Sequence, residues 1–237
     1  MKIAIIGASG TIGKAFVKNF LQNKKLQELY LFSRIDTDFE DYRIIHSFID
    51  IEDEESIKKA ATKFSKETML DAIIVTTGIL HTQNILPEKS LKDLSQDKFF
   101  KLYAVNTIGP ALIAKYFISK LNYNSKSIFA VLSARVGSIS DNYLGGWYSY
   151  RCSKAALNML IKNISIEIRR KNPYPIIVGL HPGTVNSKLS SQFTSNVSKD
   201  KVFSADYVVA KMIWVLLNLT KEDTGKLFAW DGKEIGF

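Results

Sequence analysis

The 237-residue chain is short of several things, and each shortage excludes a class of function. One cysteine, Cys152, leaves no internal disulfide framework. The three histidines, His46, His81 and His181, lie far apart, and no Cys/His cluster has zinc-ligand spacing, so no metal site is expected. Proline is scarce, and no Pro/Gly-rich linker divides the chain, which predicts one domain over 1–237. No apolar run approaches the length of a membrane span. The run Met1–Ile6 turns at Gly7, too short for a signal-peptide core and with no cleavage pattern after it. These shortages predict a soluble chain without a membrane partner, in a reducing, cytoplasmic setting.

Acidic residues are also few. Asp and Glu number 23 against 32 Lys and Arg, a net charge of +9. Such an excess admits nucleic acid, a membrane surface, a small anion or only a solvated basic surface. No recognised nucleic-acid motif accompanies it, and the densest basic cluster, Arg169-Arg170-Lys171, is short; no nucleic-acid partner is expected.

What is present is an alternation of short apolar runs and helical patterns. The runs Lys2–Ile6, Leu29–Ser33, Arg43–Phe48, Asp71–Thr76, Ser127–Leu132, Pro175–Leu180 and Lys226–Trp230 lack strict alternation of apolar and polar residues. Such runs suit strands covered on both faces, as in a parallel sheet. Helices are predicted over Thr11–Gln22, Glu54–Ser65, Leu91–Leu121 with a break near Gly109-Pro110, Ser149–Lys171 and Ala205–Leu219. The expected fold is α/β: a Rossmann-type, doubly wound, mainly parallel seven-stranded sheet with helices on both faces. The Ser-rich stretch Asn186–Ser198 is the one long loop, and such a loop in a compact domain reads as a lid.

Directly after the first strand comes Gly7-Ala8-Ser9-Gly10-Thr11-Ile12-Gly13. Glycines let the backbone turn tightly and approach a pyrophosphate, and the helix that follows offers free N–H groups and a positive dipole end. The spacing is G-x-x-G-x-x-G rather than the usual G-x-G-x-x-G. A dinucleotide site usually has an acid about 20 residues on, for a ribose 2′-hydroxyl. Here Ser33 and Arg34 stand in that place. A hydroxyl and a guanidinium suit a 2′-phosphate, so NADP(H) is favoured over NAD(H), while Asp36 nearby keeps NAD(H) open.

Tyr150 and Lys154 stand at i and i+4, on one face of a predicted helix. An adjacent cation lowers the pKa of a phenol and makes it a usable proton donor and acceptor near neutral pH. Cys152 between them is expected to be a small packing residue, since no base or second cysteine accompanies it.

Gly7–Gly13, Asn106, Tyr150 and Lys154 together resemble the classical short-chain dehydrogenases/reductases, over essentially the whole chain. The runs Leu132–Ile139 and Gly145–Arg151 and the tail Ala229–Gly232 are similar to its carbonyl-reductase-like subgroup, which includes sniffer and the bacterial C-factor proteins. The resemblance implies that Tyr150 donates a proton to a substrate carbonyl oxygen while hydride arrives from the nicotinamide. It implies that Lys154 holds the nicotinamide ribose and that Asn106 holds a water of the proton relay. The family's catalytic serine would fall on Ala134 when Gly137 anchors the comparison. Ser133 and Ser138 are the two candidates for its role.

For the cofactor, the resemblance adds Asp50, with Ile51 beside it, at the adenine amine. Thr77 and Gly78 stand where the backbone passes the adenine ribose, and Pro182-Gly183-Thr184-Val185 border the nicotinamide, with His181 as a packing residue. The substrate is expected to be a small aldehyde, ketone or quinone, in a cleft bordered by His81–Asn84 with Tyr143, Trp147 and Phe193 as aromatic walls. A homodimer or homotetramer is allowed through apolar Ile108, Leu112, Ala155, Leu157 and Ile161, which could equally face the chain's own core. Two functions stay open. One is an NADPH-dependent carbonyl reductase. The other is a non-catalytic NADP(H)-binding signalling protein, favoured if Ala134 has disabled the serine role.

Overall fold

The computed structural model describes residues 1–187, 190 and 202–237. Its main sheet has eight strands: β1 (Lys2–Ile6), β2 (Glu28–Ser33), β3 (Ile44–Phe48), β4 (Ala72–Val75), β5 (Ser127–Leu132), β6 (Pro175–His181), β9 (Leu227–Ala229) and β10 (Glu234–Ile235). Their order is β10-β9-β6-β5-β4-β1-β2-β3. Every pairing is parallel except β9 with β10. The seven expected strands are therefore present, and an antiparallel eighth corrects the count. It is folded back by Asp231-Gly232, where Gly232 has φ +86 and its N–H donates to the Ala229 carbonyl at 2.9 Å. A two-residue pair, β7 (Thr184–Val185) with β8 (Val202–Phe203), lies outside the main sheet.

The lack of alternation in the strands follows from burial on both faces. In β1, Ile3 and Ile5 enter one core with α1 (Thr11–Leu21) and α6 (Ala205–Asn218). Ala4 and Ile6 enter the other, with α2 (Glu54–Ala61), α4 (Gly109–Phe117) and α5 (Tyr148–Lys171). Each face removes several large apolar side chains from water, at about 1.5–3 kcal/mol apiece. Leu157 and Ile161 belong to this second core, so of the positions considered for an interface these two face inward; Ile108 is exposed.

The pattern read as one helix over Leu91–Leu121 is divided more finely. A short 3₁₀ turn (Leu91–Asp93) precedes α3 (Gln96–Tyr103), which begins where the Ser95 hydroxyl accepts the Lys98 N–H. The break comes before Gly109-Pro110, in a π-helical turn over Ala104–Ile108. Such turns widen a helix locally and recur at functional sites. Here the turn carries Asn106. The lid predicted over 186–198, and Phe193 within it, lie mostly outside the described residues. Among the described residues no helix is long and apolar enough to cross a membrane.

Candidate active site

The C-terminal ends of β1, β2 and β4 open on a cleft of about 440 Å³. Gly7, Ser9, Gly10, Ser33, Arg34, Ile51, Thr77 and Gly78 line it, eight of the residues expected to hold the cofactor. The turn at its floor depends on two glycines. Gly7 has φ +89, and its N–H donates to the Phe32 carbonyl at 2.8 Å. A Cβ on Gly13 would stand 2.2 Å from the Gly7 oxygen, so only glycine lets α1 close on this turn. Gly10 caps α1 without a side chain, which leaves the helix N-terminus open to an anion.

The cleft's polar groups fit a dinucleotide. Thr77 Oγ1 is buried with no hydrogen-bond partner among the described residues. The Arg34 guanidinium is exposed and has no carboxylate partner among the described residues. Ser33 Oγ instead turns to the Ile35 carbonyl. Asp50 does not line the cleft; its carboxylate accepts the Glu52 N–H at 3.1 Å. Thr11, Ile12 and Gly13 stand in the first turn of α1 behind the floor. Glu52 and Lys101 join across 2.6 Å on the cleft wall. Sequence reading missed both, because an ion pair between loop and helix leaves no local pattern.

Gly78 connects the cleft to the proposed chemistry. A Cβ there would stand 3.4 Å from both Asn106 Oδ1 and Lys154 Nζ. Asn106 is fully buried; its Oδ1 accepts the Ile79 N–H and its Nδ2 donates to the Ile79 carbonyl, each at 2.8 Å. Nδ2 also reaches Ser153 Oγ on α5 at 3.1 Å. Asn106 thus ties the π-helical turn to the chain after β4 and to α5. Lys154 is buried and donates to the Leu132 carbonyl at 2.9 Å. Burial pushes its pKa down to about 8.

Tyr150 packs with Leu80, Leu102 and Ala134, and Trp147 meets it edge-on at 6.2 Å. Burial pushes the phenol up to about 12. This corrects the expectation that Lys154 lowers it. Lys154 Nζ is 6.0 Å from the ring centroid and is engaged with a carbonyl, so desolvation dominates both groups.

The residue against Tyr150 at the end of β5 is Ala134, which has no hydroxyl. Ser133 Oγ donates to Asn158 Oδ1 at 2.6 Å, and Asn158 Nδ2 donates to the Gly137 carbonyl at 3.1 Å. Ser138 Oγ lies 3.2 Å from Ser140 Oγ and accepts the Asp141 N–H. Cys152 is exposed rather than packed, and its thiol is raised by partial desolvation and then by the charge of Glu88. Tyr143 is exposed. After β6, Pro182-Gly183 turns the chain at φ +70 against the Trp230 ring, and Val185 is buried.

His181 is held neutral. Its Nδ1 is buried without a hydrogen-bond partner among the described residues, and burial pushes its pKa down to about 4, with Arg135 adding to the effect. The unfolded chain binds a proton there below about 6.5, which the folded chain refuses. Stability is therefore expected to fall by about 3 kcal/mol between pH 6.5 and pH 4 from this group alone. Urea unfolding across that range measures it, and His181→Gln should flatten the slope.

Comparison with known proteins agrees with this arrangement. The family model for short chain dehydrogenases matches residues 1–198. A Rhodococcus sp. (strain AD45) protein, 1-hydroxy-2-glutathionyl-2-methyl-3-butene dehydrogenase, is 30% identical over 185 residues, covering 78% of this chain and 76% of its own. The NADPH-bound carbonyl reductase from chicken fatty liver superposes with a TM-score of 0.84 at 26% identity, over 100% of this chain and 98% of that one. The carbonyl reductase Sniffer of D. melanogaster superposes with a TM-score of 0.85 at 20% identity, over 100% and 99%. The chain is a member of the short-chain dehydrogenase family of oxidoreductases, similar to its sniffer-like carbonyl reductases.

Proposed function

We propose that this chain, acting as one cofactor-binding unit, is an NADPH-dependent reductase that converts an aldehyde, ketone or quinone to an alcohol, with Tyr150 as proton donor. The observation that carries the reading is the convergence at Gly78. Lys154 and Asn106 meet there, beside a cleft that Gly78 and Arg34 both line. The NADPH carried by the chicken carbonyl reductase supports the choice of cofactor.

When bound, the nicotinamide supplies the hydride. The chain's own residues do the rest. Tyr150 is a neutral phenol at physiological pH, the form needed to give a proton to a carbonyl oxygen. Lys154 is positioned beside Gly78 to hold the ribose hydroxyls and, when charged, to stabilise the phenolate that proton transfer leaves. Asn106 fixes the chain after β4 against α5, which keeps these groups in register. Ser133 is committed to Asn158, whereas Ser138 is bonded to another hydroxyl that can reorient. We assign the second hydrogen bond to the substrate oxygen to Ser138. Gly7, Gly10 and the first turn of α1 hold the pyrophosphate, Thr77 the ribose nearby, Arg34 the 2′-phosphate, and Pro182–Val185 the nicotinamide edge.

Fluorescence titration tests the cofactor assignment. NADPH is expected to bind at least about tenfold more tightly than NADH, since one charge-assisted contact contributes about 1.5–3 kcal/mol. Equal affinities would contradict the role of Arg34.

A further inference from the structure

We propose that Glu88 is a positioning residue for Tyr150: a buried carboxylate that anchors the first turn of α5 from the loop covering the phenol. The inference rests on the reading of Tyr150 as proton donor.

The need for an anchor arises in α5 itself. A helix start leaves backbone N–H groups without partners, and a side chain at the cap usually satisfies one. The cap of α5 is Trp147, held at φ 49 and ψ 43, and its side chain caps nothing. Only residues with a special reason adopt that left-handed backbone without being glycine. Glu88 supplies what the cap does not. Its backbone oxygen accepts the Trp147 N–H at 2.6 Å, and its carboxylate Oε2 accepts the Ser149 N–H at 3.3 Å.

Glu88 is also completely buried, and its second carboxylate oxygen has no hydrogen-bond partner among the described residues. No ion pair neutralises it among those residues. Burying a carboxylate is costly, and a glutamate kept only to fill space would be better replaced by an apolar residue. The positive end of a 24-residue helix offsets part of that cost. The carboxyl oxygen is therefore placed where it fixes the start of α5.

Tyr150 is the third residue of that helix, so its ring moves with the anchored turn. The loop bearing Glu88 also sends Ile85 to the apolar cluster around Tyr150. One segment thus holds both the backbone and the ring of the proton donor. A shift of about 1 Å at a reacting group costs about 10²-fold in rate.

The test uses the full chain, NADPH and an aldehyde or quinone that the wild type turns over. Glu88→Ala is expected to lower kcat about tenfold or more, with the Kd for NADPH within about twofold. Glu88→Gln keeps an oxygen for the Ser149 N–H, and its kcat is expected within about threefold of wild type. That split, with rescue by the near-isostere, separates positioning from loss of fold. Should Glu88→Ala fail to fold, Glu88→Asp replaces it, with its carboxylate drawn back from Ser149 and the same loss expected.

Three results would overturn the proposal: wild-type kcat in the folded Ala or Asp variant, loss of NADPH affinity in step with kcat, or a Gln variant as impaired as Ala. A second readout needs no turnover. Hydrogen exchange of the Trp147 and Ser149 amides is expected to quicken in Glu88→Ala and to stay near the wild-type rate in Glu88→Gln, and unchanged exchange in a folded Glu88→Ala would overturn the anchor. A wild type that binds NADPH yet reduces nothing overturns the proton-donor reading instead, and the exchange of the Trp147 and Ser149 amides then decides whether Glu88 anchors α5.

Discussion

Tyr150→Phe is expected to lower kcat by roughly two to four orders of magnitude, the range over which a positioned proton donor acts. The substitution removes one oxygen and leaves the ring, so the contacts with Leu80, Leu102, Ala134 and Trp147 persist. Lys154 stays tied to the Leu132 carbonyl and Asn106 to Ile79, and neither bond involves the phenol. NADPH affinity should accordingly change little, and fluorescence titration checks that arm. Stability should hold too, since no hydrogen bond of the Tyr150 hydroxyl is lost among the described residues. A folded Tyr150→Phe variant with wild-type kcat would place the proton donor elsewhere. Ser138 and Ser133 would then be the hydroxyls to examine.

Arg34→Glu is expected to weaken NADPH binding by about 10²-fold or more and to leave NADH binding nearly unchanged. Two effects add. The charge-assisted bond to a phosphate is lost, worth about 1.5–3 kcal/mol, and a carboxylate then faces the phosphate. The site favours a large effect because the guanidinium has no competing carboxylate partner among the described residues, and Ser33 Oγ beside it donates to a carbonyl. Raised salt should shrink the difference, since the contact is exposed. If both cofactors weaken equally, Arg34 supports the fold of the β2 end rather than the 2′-phosphate.

The parts legible in the sequence were those encoded locally. Gly7–Gly13 reads as a phosphate turn because strand, turn and helix follow one another within a dozen residues, and the structure has that order. The seven strands were legible because burial on both faces removes the polar alternation that would otherwise mark an exposed sheet. Tyr150 and Lys154 share a helix, so spacing alone sets them on one face.

What escaped depends on distant segments meeting. The Glu52–Lys101 pair spans 49 residues and Glu88–Ser149 spans 61, and neither leaves a local signature. The π-helical turn at Asn106 escaped because Gly109-Pro110 offered a more obvious break, yet Pro110 sits comfortably in the first turn of α4. The direction of the Tyr150 shift escaped for another reason. Spacing reports that a cation is near, but not that both groups are buried, and desolvation outweighs their attraction at this separation. The excess of +9 was a weak guide throughout. Arg34 and Lys154 are the only two basic residues given a cofactor role, and many of the others sit on exposed helix faces in pairs such as Lys171–Glu167 and Lys115–Glu54.

The most direct measurement of the central claim is NADPH consumption at 340 nm, a wavelength of about that value being where the reduced nicotinamide absorbs, with the purified chain and a panel of aldehydes, ketones and quinones. The account predicts oxidation of NADPH with at least one class of carbonyl, formation of the matching alcohol or hydroquinone, and near-complete loss of both in Tyr150→Phe. NADPH bound tightly but never oxidised across the panel would contradict it, and would leave a cofactor-binding protein on a reductase scaffold.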